Sequence, residues 1–408
     1  MKTHKTNLPL ALLLCASLAL IVKIVLAWNT YGTNDVTIWA HDLVKIRSEG
    51  VLALYRDGIS VFRGDLLLAV EPFNHPPFIT YLIQAWGWLA ETCGLPFAFW
   101  IRVTTSLADV GSLWIVWKIV NSSAELNLRP GGLLLMALSP VSIMVSGFHG
   151  NTDPIMICFL LLSIYFMTSG KSDWLAGAAF GMAMNIKVVP ILIALAVMFY
   201  LPNMRRRLEL VCGAGIVFLT PGLPFLLRDP RLILNNLFGY SPLPYHWGFS
   251  RFIQLYVLIG EKSAGILTTY ERFGKPVAIL VVLAATVWMN WRNKKPQIFV
   301  QAGFIYFLFL FLTPGWGAQY LAWLVPWLVV VIGWQPLFYY VASGLFLLEL
   351  YTYWSRGLPW YEADMLYTAD LHSPMFLYFV LESLCWVGVG CVALLYWKRL
   401  SNQPPALP

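Results

Sequence analysis

The chain has 408 residues, of which 59% are hydrophobic and only 12% are charged. Soluble globular proteins carry about 25% charged residues, so this composition excludes an ordinary soluble domain. The formal net charge of +7 does not indicate nucleic acid, because much of it lies in short clusters of Lys and Arg. Apolar runs of about 20 residues recur along the whole length, which predicts an all-α polytopic membrane protein.

The positive clusters predict the orientation of the chain. Cytoplasmic loops of membrane proteins are enriched in Lys and Arg, so these clusters are expected inside. They are Lys2 with Lys5, Arg205–Arg207, Arg292 with Lys294 and Lys295, and Lys398 with Arg399. The first apolar segment, 8–27, then leads outward. It also has features of a signal peptide, but this topology needs it as a spanning helix.

About twelve spans follow from this orientation, with both termini cytoplasmic and no soluble domain or internal repeat. The expected spans are 8–27, 97–120, 131–147, 155–168, 174–186, 188–201, 208–227, 276–291, 298–312, 320–332, 337–350 and 374–397. In this division 28–97 is an outer catalytic loop with interfacial helices at 36–49, 51–70 and 76–92, and 98–227 is a helical module. An outer, lid-like loop at 228–275, with an interfacial helix near 249–258, precedes the C-terminal helices at 276–397.

Asp35 follows the first expected span, with Trp39 one helical turn later. One interpretation is an N-cap, because Asp and Asn accept hydrogen bonds from the free N–H groups that open a helix. The other is a general base at the membrane surface, which takes a proton from an acceptor hydroxyl held in near-attack geometry. The local sequence leaves both interpretations open.

A polar island at 148–154 lies between two apolar segments and contains His149, Asn151 and Asp153. Polar side chains at membrane depth are costly and usually functional. Asp153 precedes a proline and is therefore also a good helix start. The whole set is harder to explain by capping, and it predicts binding of a phosphate or a sugar.

Lys187 lies among apolar residues, three positions before Pro190. A lysine in this setting either extends its ammonium to the membrane surface or binds a phosphate. We favour the phosphate, because Pro190 would break the helix and leave Lys187 at an outward-facing kink.

Three further segments contribute candidates for donor binding. His75 lies in the stiff turn Asn74–Pro77, where it either contacts solvent or faces a pocket that binds phosphate or sugar. Gln319 and Tyr320 end the Gly- and Pro-rich turn 313–320, whose aromatic residues also suit a membrane interface. Arg251 lies in the 228–275 loop, and long outer loops of this kind often act as lids.

The expected acceptor site uses the first and the last outer loops. Trp39 belongs to the first, and Trp354, Arg356, Trp360 and Glu362 belong to the last. Aromatic and acidic side chains together suit stacking and hydrogen bonding on sugar rings. Anchoring at the membrane interface explains the aromatic residues equally well.

We expect no metal and no cofactor. The Asp35 loop lacks the paired carboxylates of an Asp-x-Asp or Glu-x-Asp motif, which a divalent cation would need. Glu362 and Asp364 have that spacing, but they lie in the last outer loop. The six cysteines are scattered and form no CxxC or Cys/His cluster, so neither a disulfide framework nor a zinc site is expected.

With these residues in place, the chain resembles the GT-C superfamily of membrane glycosyltransferases, especially the bacterial branch that uses polyprenyl-phosphate mannose. The resemblance rests on Asp35 just after the first span, the turn 75–77, the polar motif 149–153, Lys-x-x-Pro at 187–190 and Pro-Gly-x-Gly-x-Gln-Tyr at 314–320. Each motif is short, and their order is the stronger signal. The missing acidic pair points to the metal-independent members.

The resemblance implies transfer of mannose or another hexose or pentose from a polyprenyl-phosphate carrier to a hydroxyl of a lipid-linked or glycan acceptor, with inversion. Asp35 would act as the base, and Lys187, His149 and Arg251 would stabilise the leaving lipid phosphate. The partners are then the donor, the acceptor and membrane lipids, without nucleic acid. We expect the chain in the plasma (inner) membrane with its site on the extracytoplasmic, periplasmic side.

Two alternatives come from other classes of protein. A transporter or flippase for an anionic lipid or sugar would also have about twelve spans and a buried lysine. Such proteins more often show repeated halves and helices broken near the midplane, whereas the polar residues here gather at one surface. A non-catalytic subunit is the third interpretation, and it would be inert when purified alone.

Overall fold

The computed structural model describes residues 8–63, 66–123, 126, 130–239, 247–260, 265–292, 297–365 and 375–401. Within these ranges the protein is predominantly helical, with two small two-stranded sheets. This confirms the predicted α-helical, membrane-type class. The structure also changes several details of the expected topology.

Seventeen α-helices lie in the described part of the chain. They are α1 (Leu8–Asn29), α2 (Asn34–Glu49), α3 (Val51–Asp57), α4 (Phe78–Cys93), α5 (Phe97–Ser122), α6 (Pro130–Ala137), α7 (Pro140–Met144), α8 (Asp153–Thr168), α9 (Asp173–Ile186), α10 (Ala194–Tyr200), α11 (Met204–Leu226), α12 (Pro230–Gly239), α13 (Gly248–Gly260), α14 (Gly265–Arg292), α15 (Ile298–Leu312), α16 (Gln335–Trp354) and α17 (Met375–Ser401). A π-helix covers Val145–His149, and 3-10 helices cover Val189–Ile193, Ala318–Trp323 and Val325–Val330. The strands are β1 (Gly32–Thr33), β2 (Ile59–Arg63), β3 (Leu66–Glu71) and β4 (Glu362–Ala363).

Six helical segments of the described chain are long and apolar enough to cross a membrane. They are Pro9–Asn29, Phe97–Ser122, Pro130–His149, Met204–Leu226, Gly265–Arg292 and Phe376–Ser401. Four shorter apolar segments are Asp153–Thr168, Val189–Tyr200, Ile298–Leu312 and Ala318–Val330. A straight span needs about 20 residues, and shorter apolar helices are often core helices. The expected count of twelve spans therefore stays a prediction.

The first long loop contains α2 and α4 close to the expected positions, but the segment 51–70 is not one helix. It forms the short helix α3 and then the antiparallel hairpin of β2 and β3. Gly58 ends α3 with a positive φ of 58°. A Cβ at Gly58 would lie 2.4 Å from the carbonyl oxygen of Glu71. Only glycine allows this close approach of the two chain segments.

The segment 228–275 is mostly helical rather than a long loop with one interfacial helix. It holds α12, α13 and the first part of α14, while 240–246 and 261–264 lie outside the described residues. Asp229 accepts a hydrogen bond from the Leu232 N–H at 3.0 Å and Pro230 occupies the first position of α12. Both features start a helix. Pro276, expected to open a span, lies inside α14.

Helices α9 and α11 pack closely because glycines line their contact. A Cβ on Gly177 would lie 2.2 Å from the Leu210 carbonyl oxygen, and one on Gly181 would lie 2.4 Å from that of Ala214. Gly213 makes the reciprocal approach to the Trp174 carbonyl oxygen at 2.6 Å. Small residues four apart let helices in a membrane bring their backbones together.

The expected span 131–147 is interrupted. Ser139 accepts a hydrogen bond from the Ser142 N–H at 3.2 Å and Pro140 opens α7, so the first helix stops at Ala137. The chain then continues into the π-helix Val145–His149, which ends at Gly150 with a φ of 83°. π-Helical turns occur frequently at functional sites. This break presents the polar island at the end of the helix.

The last long loop is joined to the first by β4, which pairs in parallel with β1. Gly32 is in register with Glu362, and Thr33 with Ala363. The N–H groups of Tyr31 and Gly32 both donate to the Tyr361 carbonyl oxygen. The pairing fixes the backbone immediately before α2 and therefore the position of its first turn.

Candidate active site

Asp35 lies in the first turn of α2, but it does not cap the helix. The helix begins at Asn34, and the N-cap position is Thr33, which makes no side-chain cap. The Asp35 carboxylate instead accepts a hydrogen bond from Asn151 Nδ2 at 2.6 Å and lies 3.1 Å from His149 Nε2. Its side chain is 23% exposed, so a substrate can reach the remaining oxygen.

The chain around Asp35 is held by buried hydrogen bonds. The Thr33 hydroxyl donates to the His149 carbonyl oxygen at 2.8 Å. The buried Arg102 guanidinium donates to the carbonyl oxygens of Ala27 at 2.9 Å and Thr30 at 2.6 Å. A cation at a helix C-terminus satisfies free carbonyl groups and the helix dipole. These contacts join the end of α1 to α5 and to the polar island.

His149 connects Asp35 to a tyrosine of α16. Its Nε2 faces Asp35, and its Nδ1 lies 2.9 Å from the Tyr351 hydroxyl. His149 and Tyr351 are both buried. A histidine bonded through both ring nitrogens keeps one orientation, so the second partner fixes the side that faces the carboxylate. The result is a continuous Asp35–His149–Tyr351 chain of hydrogen bonds.

Burial and the neighbouring charges shift the pKa values of two side chains in the site. Burial raises the pKa of Asp35, but the His149 charge and hydrogen bond, the Asn151 amide and Lys187 outweigh it and hold the pKa below 3.8. Burial lowers the pKa of His75 to about 3, and the Lys187 charge acts in the same direction. Asp35 is therefore ionised and His75 neutral near pH 7.

A second acidic group, Asp153, pairs with Lys187. Both carboxylate oxygens of Asp153 accept from Lys187 Nζ, at 3.0 and 3.1 Å, and the Trp323 indole N–H also donates to this carboxylate. Asp153 begins α8, yet Thr152 occupies the N-cap position and its side chain makes no cap. Its carboxylate binds the lysine instead.

Lys187 occupies a bend between helices, as its proline neighbour predicts. Helix α9 ends at Ile186, and Lys187 has extended backbone angles before the 3-10 helix that contains Pro190. Its ammonium lies 4.6 Å from the Tyr320 ring centroid, a distance that permits a cation–π interaction. Lys187 is thus held in place by both a carboxylate and an aromatic ring.

Two cavities meet at this lysine. A polar cavity of about 140 Å³ is lined by Asp35, Ile38, Trp39, Asp42, Glu71, Pro72, Phe73, Asn74, His75, Asn151, Lys187, Gln319 and Tyr320. A neighbouring cavity of about 250 Å³, which we call the apolar groove, has mainly apolar walls from the 3-10 helix Val189–Ile193, from α12, α14 and α15, and from the turns beside them. The two share Asn74, His75, Lys187 and Tyr320.

The structure brings together most of the residues expected to bind the donor. Those that line the polar cavity are His75, Asn151, Lys187, Gln319 and Tyr320, together with Asp35 and Trp39. His149 and Asp153 lie directly behind it, bonded to Asp35 and Lys187. The sequence order of the motifs therefore corresponds to one place in the fold.

The remaining expected residues lie apart from the cavity. Arg251 donates to Gln254 Oε1 at 2.9 Å on α13 and lines neither cavity. Trp360 packs on Phe148, with ring centroids 4.9 Å apart, and its indole N–H donates to Thr352. The Glu362 carboxylate lies 3.5 Å from the hydroxyl of Thr37, in the first turn of α2.

Trp354 and Arg356 are also outside the cavity lining. The carbonyl oxygen of Trp354 accepts from the Asp364 N–H at 3.2 Å, and its ring contacts Tyr351. Arg356 follows the end of α16 with a positive φ of 60°. Both residues therefore lie at or just after the C-terminal end of α16, the helix that carries Tyr351.

Four contributors were not identified from the sequence. Tyr351 and Trp323 lie in apolar stretches, where tyrosine and tryptophan are common, so nothing distinguished them. Glu71 ends β3, one residue after a segment that was expected to be helical. Asp42 lies seven residues after Asp35, and this spacing places both on one face of α2. Helical periodicity could have identified Asp42.

Among the residues that the structure describes, no group of three His, Cys, Asp or Glu side chains is arranged to hold a metal ion. Of the carboxylates at the site, Asp35 contacts Asn151 and His149, and Asp153 contacts Lys187 and Trp323. The arrangement suits binding of a polar substrate through hydrogen bonds and one cation.

Comparisons with known proteins give one family match, which covers part of the chain. Residues 74–226 match the family described as dolichyl-phosphate-mannose-protein mannosyltransferase. The match includes His75, the polar island and Lys187, and it begins after Asp35. It supports the resemblance to GT-C membrane glycosyltransferases.

Two relatives are named as mannosyltransferases. A putative mannosyltransferase, YycA, of Bacillus subtilis (strain 168) is 26% identical over 235 residues, which cover 54% of this chain and 31% of that protein. GPI mannosyltransferase 1 of Trypanosoma brucei brucei (strain 927/4 GUTat10.1) is 22% identical over 277 residues, covering 63% of this chain and 61% of that protein. The chain thus spans less than two thirds of either relative. Together with the family match, they confirm the resemblance to membrane glycosyltransferases of the GT-C type.

Proposed function

We propose that this protein is an inverting glycosyltransferase that moves mannose or another hexose or pentose from a polyprenyl-phosphate carrier to a hydroxyl of a lipid-linked or glycan acceptor. One observation carries the proposal. The apolar groove, Lys187, the polar cavity and Asp35 follow one another in space. A polyprenyl-phosphate sugar has the same order of an apolar chain, an anion and a hydroxylated ring, with the acceptor beyond the ring.

The apolar groove suits the carrier chain. Its walls include Leu192, Leu237 and Phe238 and few polar groups away from the shared residues. Burial of apolar surface contributes about 25 cal/mol per Å², so a long prenyl chain in this groove would supply much of the donor affinity. The groove lies next to the polar cavity, so the phosphate would come to rest beside Lys187.

Lys187 is suited to the phosphate because its position is already fixed. An ammonium has three N–H donors. Asp153 accepts two hydrogen bonds from this ammonium, and the Trp323 indole N–H donates to the same carboxylate. A remaining donor is free to contact a phosphate oxygen that gains charge as the sugar leaves. Fixed charge at a developing anion is usually the largest catalytic contribution.

Asp35 would receive the proton of the acceptor hydroxyl. In the transfer, a bond forms between the acceptor oxygen and the anomeric carbon as the bond between that carbon and the phosphate oxygen breaks. The proton passes to Asp35, and the products are the glycoside and the polyprenyl phosphate. A carboxylate with a lowered pKa is a weak base, so its main contribution is to orient the hydroxyl until its proton becomes acidic in the transition state.

His149 and Tyr351 would hold Asp35 in the productive rotamer. The Asn151 amide and His149 contact the same oxygen, Oδ2. The other oxygen, Oδ1, is left to face the substrate. One carboxylate oxygen thus fixes the side chain in place, and the other is available to accept the proton. This geometry supports Asp35 as the base.

No metal enters this mechanism, because Lys187 supplies the positive charge and Asp35 accepts the proton. The site would face the extracytoplasmic side of an inner membrane, with both termini inside, as the positive clusters predict. The acceptor would approach between the first and last loops, which β1 and β4 join next to Asp35. Glu362 and Trp39 lie on this route.

The experiment is a transfer assay with the purified full chain in lipid nanodiscs. A panel of polyprenyl-phosphate sugars is offered with a membrane glycolipid extract, with and without EDTA. The proposal predicts a glycosylated product that persists in EDTA. Movement of the donor across a bilayer without formation of a glycosidic bond would favour the transporter alternative instead.

A further inference from the structure

The polar cavity contains more unpaired polar groups than the transfer mechanism uses. Trp39 Nε1, His75 Nδ1 and Asn151 Oδ1 are buried atoms without a hydrogen-bond partner in the described structure. All three residues line the cavity. Buried polar atoms are normally paired, and an unpaired one costs about 1–3 kcal/mol. Donors and acceptors left in this way around one cavity indicate a polar ligand.

Asp42 completes this set. It is only 3% exposed and lines the cavity two helical turns beyond Asp35. Among the described residues, none forms a hydrogen bond or an ion pair with its carboxyl group. Trp39 lies between Asp35 and Asp42 on the same face of α2, so the three side chains form one stripe along the cavity wall. The mechanism above gives Asp42 no role.

The arrangement suits a ring that carries several neutral hydroxyl groups. A hydroxyl both donates and accepts, so it can pair with the Trp39 N–H as well as with oxygen or nitrogen acceptors. Asp35 and Glu71 also face the cavity, and their carboxylates would repel an acidic sugar. Lys187 is the cation lining the cavity, and its ammonium is already held by Asp153.

We infer that Asp42 is a specificity-determining residue, which hydrogen-bonds one hydroxyl of a neutral donor sugar while that sugar occupies the polar cavity. This inference rests on the proposed function. Asp35 acts on the acceptor at the anomeric carbon, whereas Asp42 contacts a hydroxyl farther along the ring. The contact forms with the donor and therefore acts on the choice of sugar.

The protonation of Asp42 is consistent with this role. Burial raises its pKa to about 8. A protonated carboxyl group donates one hydrogen bond and accepts others, so it can pair with a hydroxyl in either direction. It also avoids a second negative charge beside Asp35.

The test combines enzyme variants with altered donors. Wild type and Asp42→Ala are compared on a series of polyprenyl-phosphate donors in which each sugar hydroxyl in turn is replaced by hydrogen. Glu49→Ala is the matched control, because Glu49 lies on the same helix and its side chain is 55% exposed. Loss of one hydrogen bond to a substrate hydroxyl reduces kcat/KM by about ten-fold or more.

The expected result is non-additivity at one ring position. Wild type and Glu49→Ala lose about ten-fold or more with that deoxy donor, whereas Asp42→Ala loses this amount with the complete sugar and little more with the deoxy one. Additive losses at every position would overturn the role of Asp42. If Asp42→Ala does not fold, Asp42→Asn is used, and it must change the ranking of epimeric donors. Absence of transfer by wild type from any donor would instead refute the proposed function.

Discussion

At the scale of single residues, the site is explained by how its polar groups are paired. Asp35 and Asp153 both follow a helix-start pattern, and both bind another side chain instead of a free backbone N–H. Capping needs only a local contact, whereas these bonds join residues more than thirty positions apart in sequence. Long-range pairing of this kind cannot be read from local sequence.

Asp35→Asn tests the proton acceptor. The amide keeps the size of the side chain but cannot take the proton, so kcat should fall by about 10²–10⁴-fold while the donor KM changes little. The melting temperature should stay close to that of wild type. Asp57→Asn, an exposed carboxylate of α3, is the control and should be fully active. A near-normal kcat in Asp35→Asn would show that Asp35 is not the base.

The pH dependence of donor use tests Asp42. Its pKa is raised to about 8, while that of Asp35 is lowered from its ordinary value. At neutral pH Asp35 is therefore ionised and Asp42 is protonated, so kcat/KM for the donor should fall as pH rises through about 8. The other ionisable groups that line the cavity are Glu71, His75, Lys187 and Tyr320.

Asp42→Asn should remove this alkaline fall, because the amide does not titrate. The stability of the protein should also decrease as Asp42 loses its proton. The folded protein holds the Asp42 proton more tightly than the unfolded chain, so the free energy of unfolding should decrease as pH rises from 3.8 to about 8. Thermal melting across this range, in wild type and Asp42→Asn, measures the difference. If kcat/KM of the variant still falls as pH rises through about 8, the fall is caused by the titration of another group.

At the scale of elements, the π-helix Val145–His149 connects the membrane core to the site. Asp109 of α5 accepts hydrogen bonds from Ser142 at 2.7 Å and from Ser146, and it pairs with the buried Lys23 of α1 at 2.9 Å. A Cβ on Gly147 would lie 2.8 Å from the Lys23 Cα. Three helices therefore set the position of His149.

Gly147→Ala should displace this segment, because the added methyl group meets backbone that cannot rotate away. We expect kcat to fall by about ten-fold or more, since small misplacements near the chemistry are costly. Gly131→Ala is the matched control, because that glycine belongs to the same helical segment and its added Cβ would meet nothing within 4 Å. Equal activities of the two variants would show that the π-helix position does not matter.

The α9–α11 contact gives a separate prediction about stability. Gly177→Ala places a methyl group against the Leu210 carbonyl oxygen and should destabilise the protein by about 1–3 kcal/mol. Gly215→Ala, in α11 with nothing within 4 Å, should not. Thermal melting in detergent compares them. Similar melting temperatures would mean that the two helices can separate without cost.

The elements that the sequence predicted best are those with one clear signal. α1, α5 and α17 follow long apolar runs, and Pro190 correctly marks the bend at Lys187. The segments 51–70 and 228–275 carry mixed signals. In the first, a hairpin depends on the close approach of Gly58 to Glu71, and in the second, helices begin inside a Pro-rich stretch. Both depend on contacts between distant residues.

At the scale of the whole molecule, the number of membrane spans is harder to predict from the sequence than the meeting of the polar motifs at one site. Apolar length alone does not separate a membrane span from a buried core helix, and α15 has most of its side chains buried inside the protein. The order of the polar motifs is more informative, because most of the motifs follow a helix end and their residues meet at one cavity. This explains why most of the residues expected to act together do line one cavity, while the topology was only partly predicted.

The position of the apolar groove predicts where the prenyl chain of the donor binds. Leu237→Trp should fill the groove and raise KM for a long polyprenyl donor several-fold, with less effect on a short, water-soluble prenyl donor. Leu234→Trp is the control, because this residue lies on the same helix, is 46% exposed and does not line the groove. The same loss with both donors would place the lipid chain elsewhere.

The transfer assay with wild type and Asp35→Asn, in the presence of EDTA, is the first measurement to make. Wild type should form a new glycosidic bond from a polyprenyl-phosphate sugar, and Asp35→Asn, equally folded, should form almost none. Equal transfer by both proteins would contradict Asp35 as the base and direct attention to Asp153 and Glu362. Transport of the donor without any product would contradict the enzyme itself.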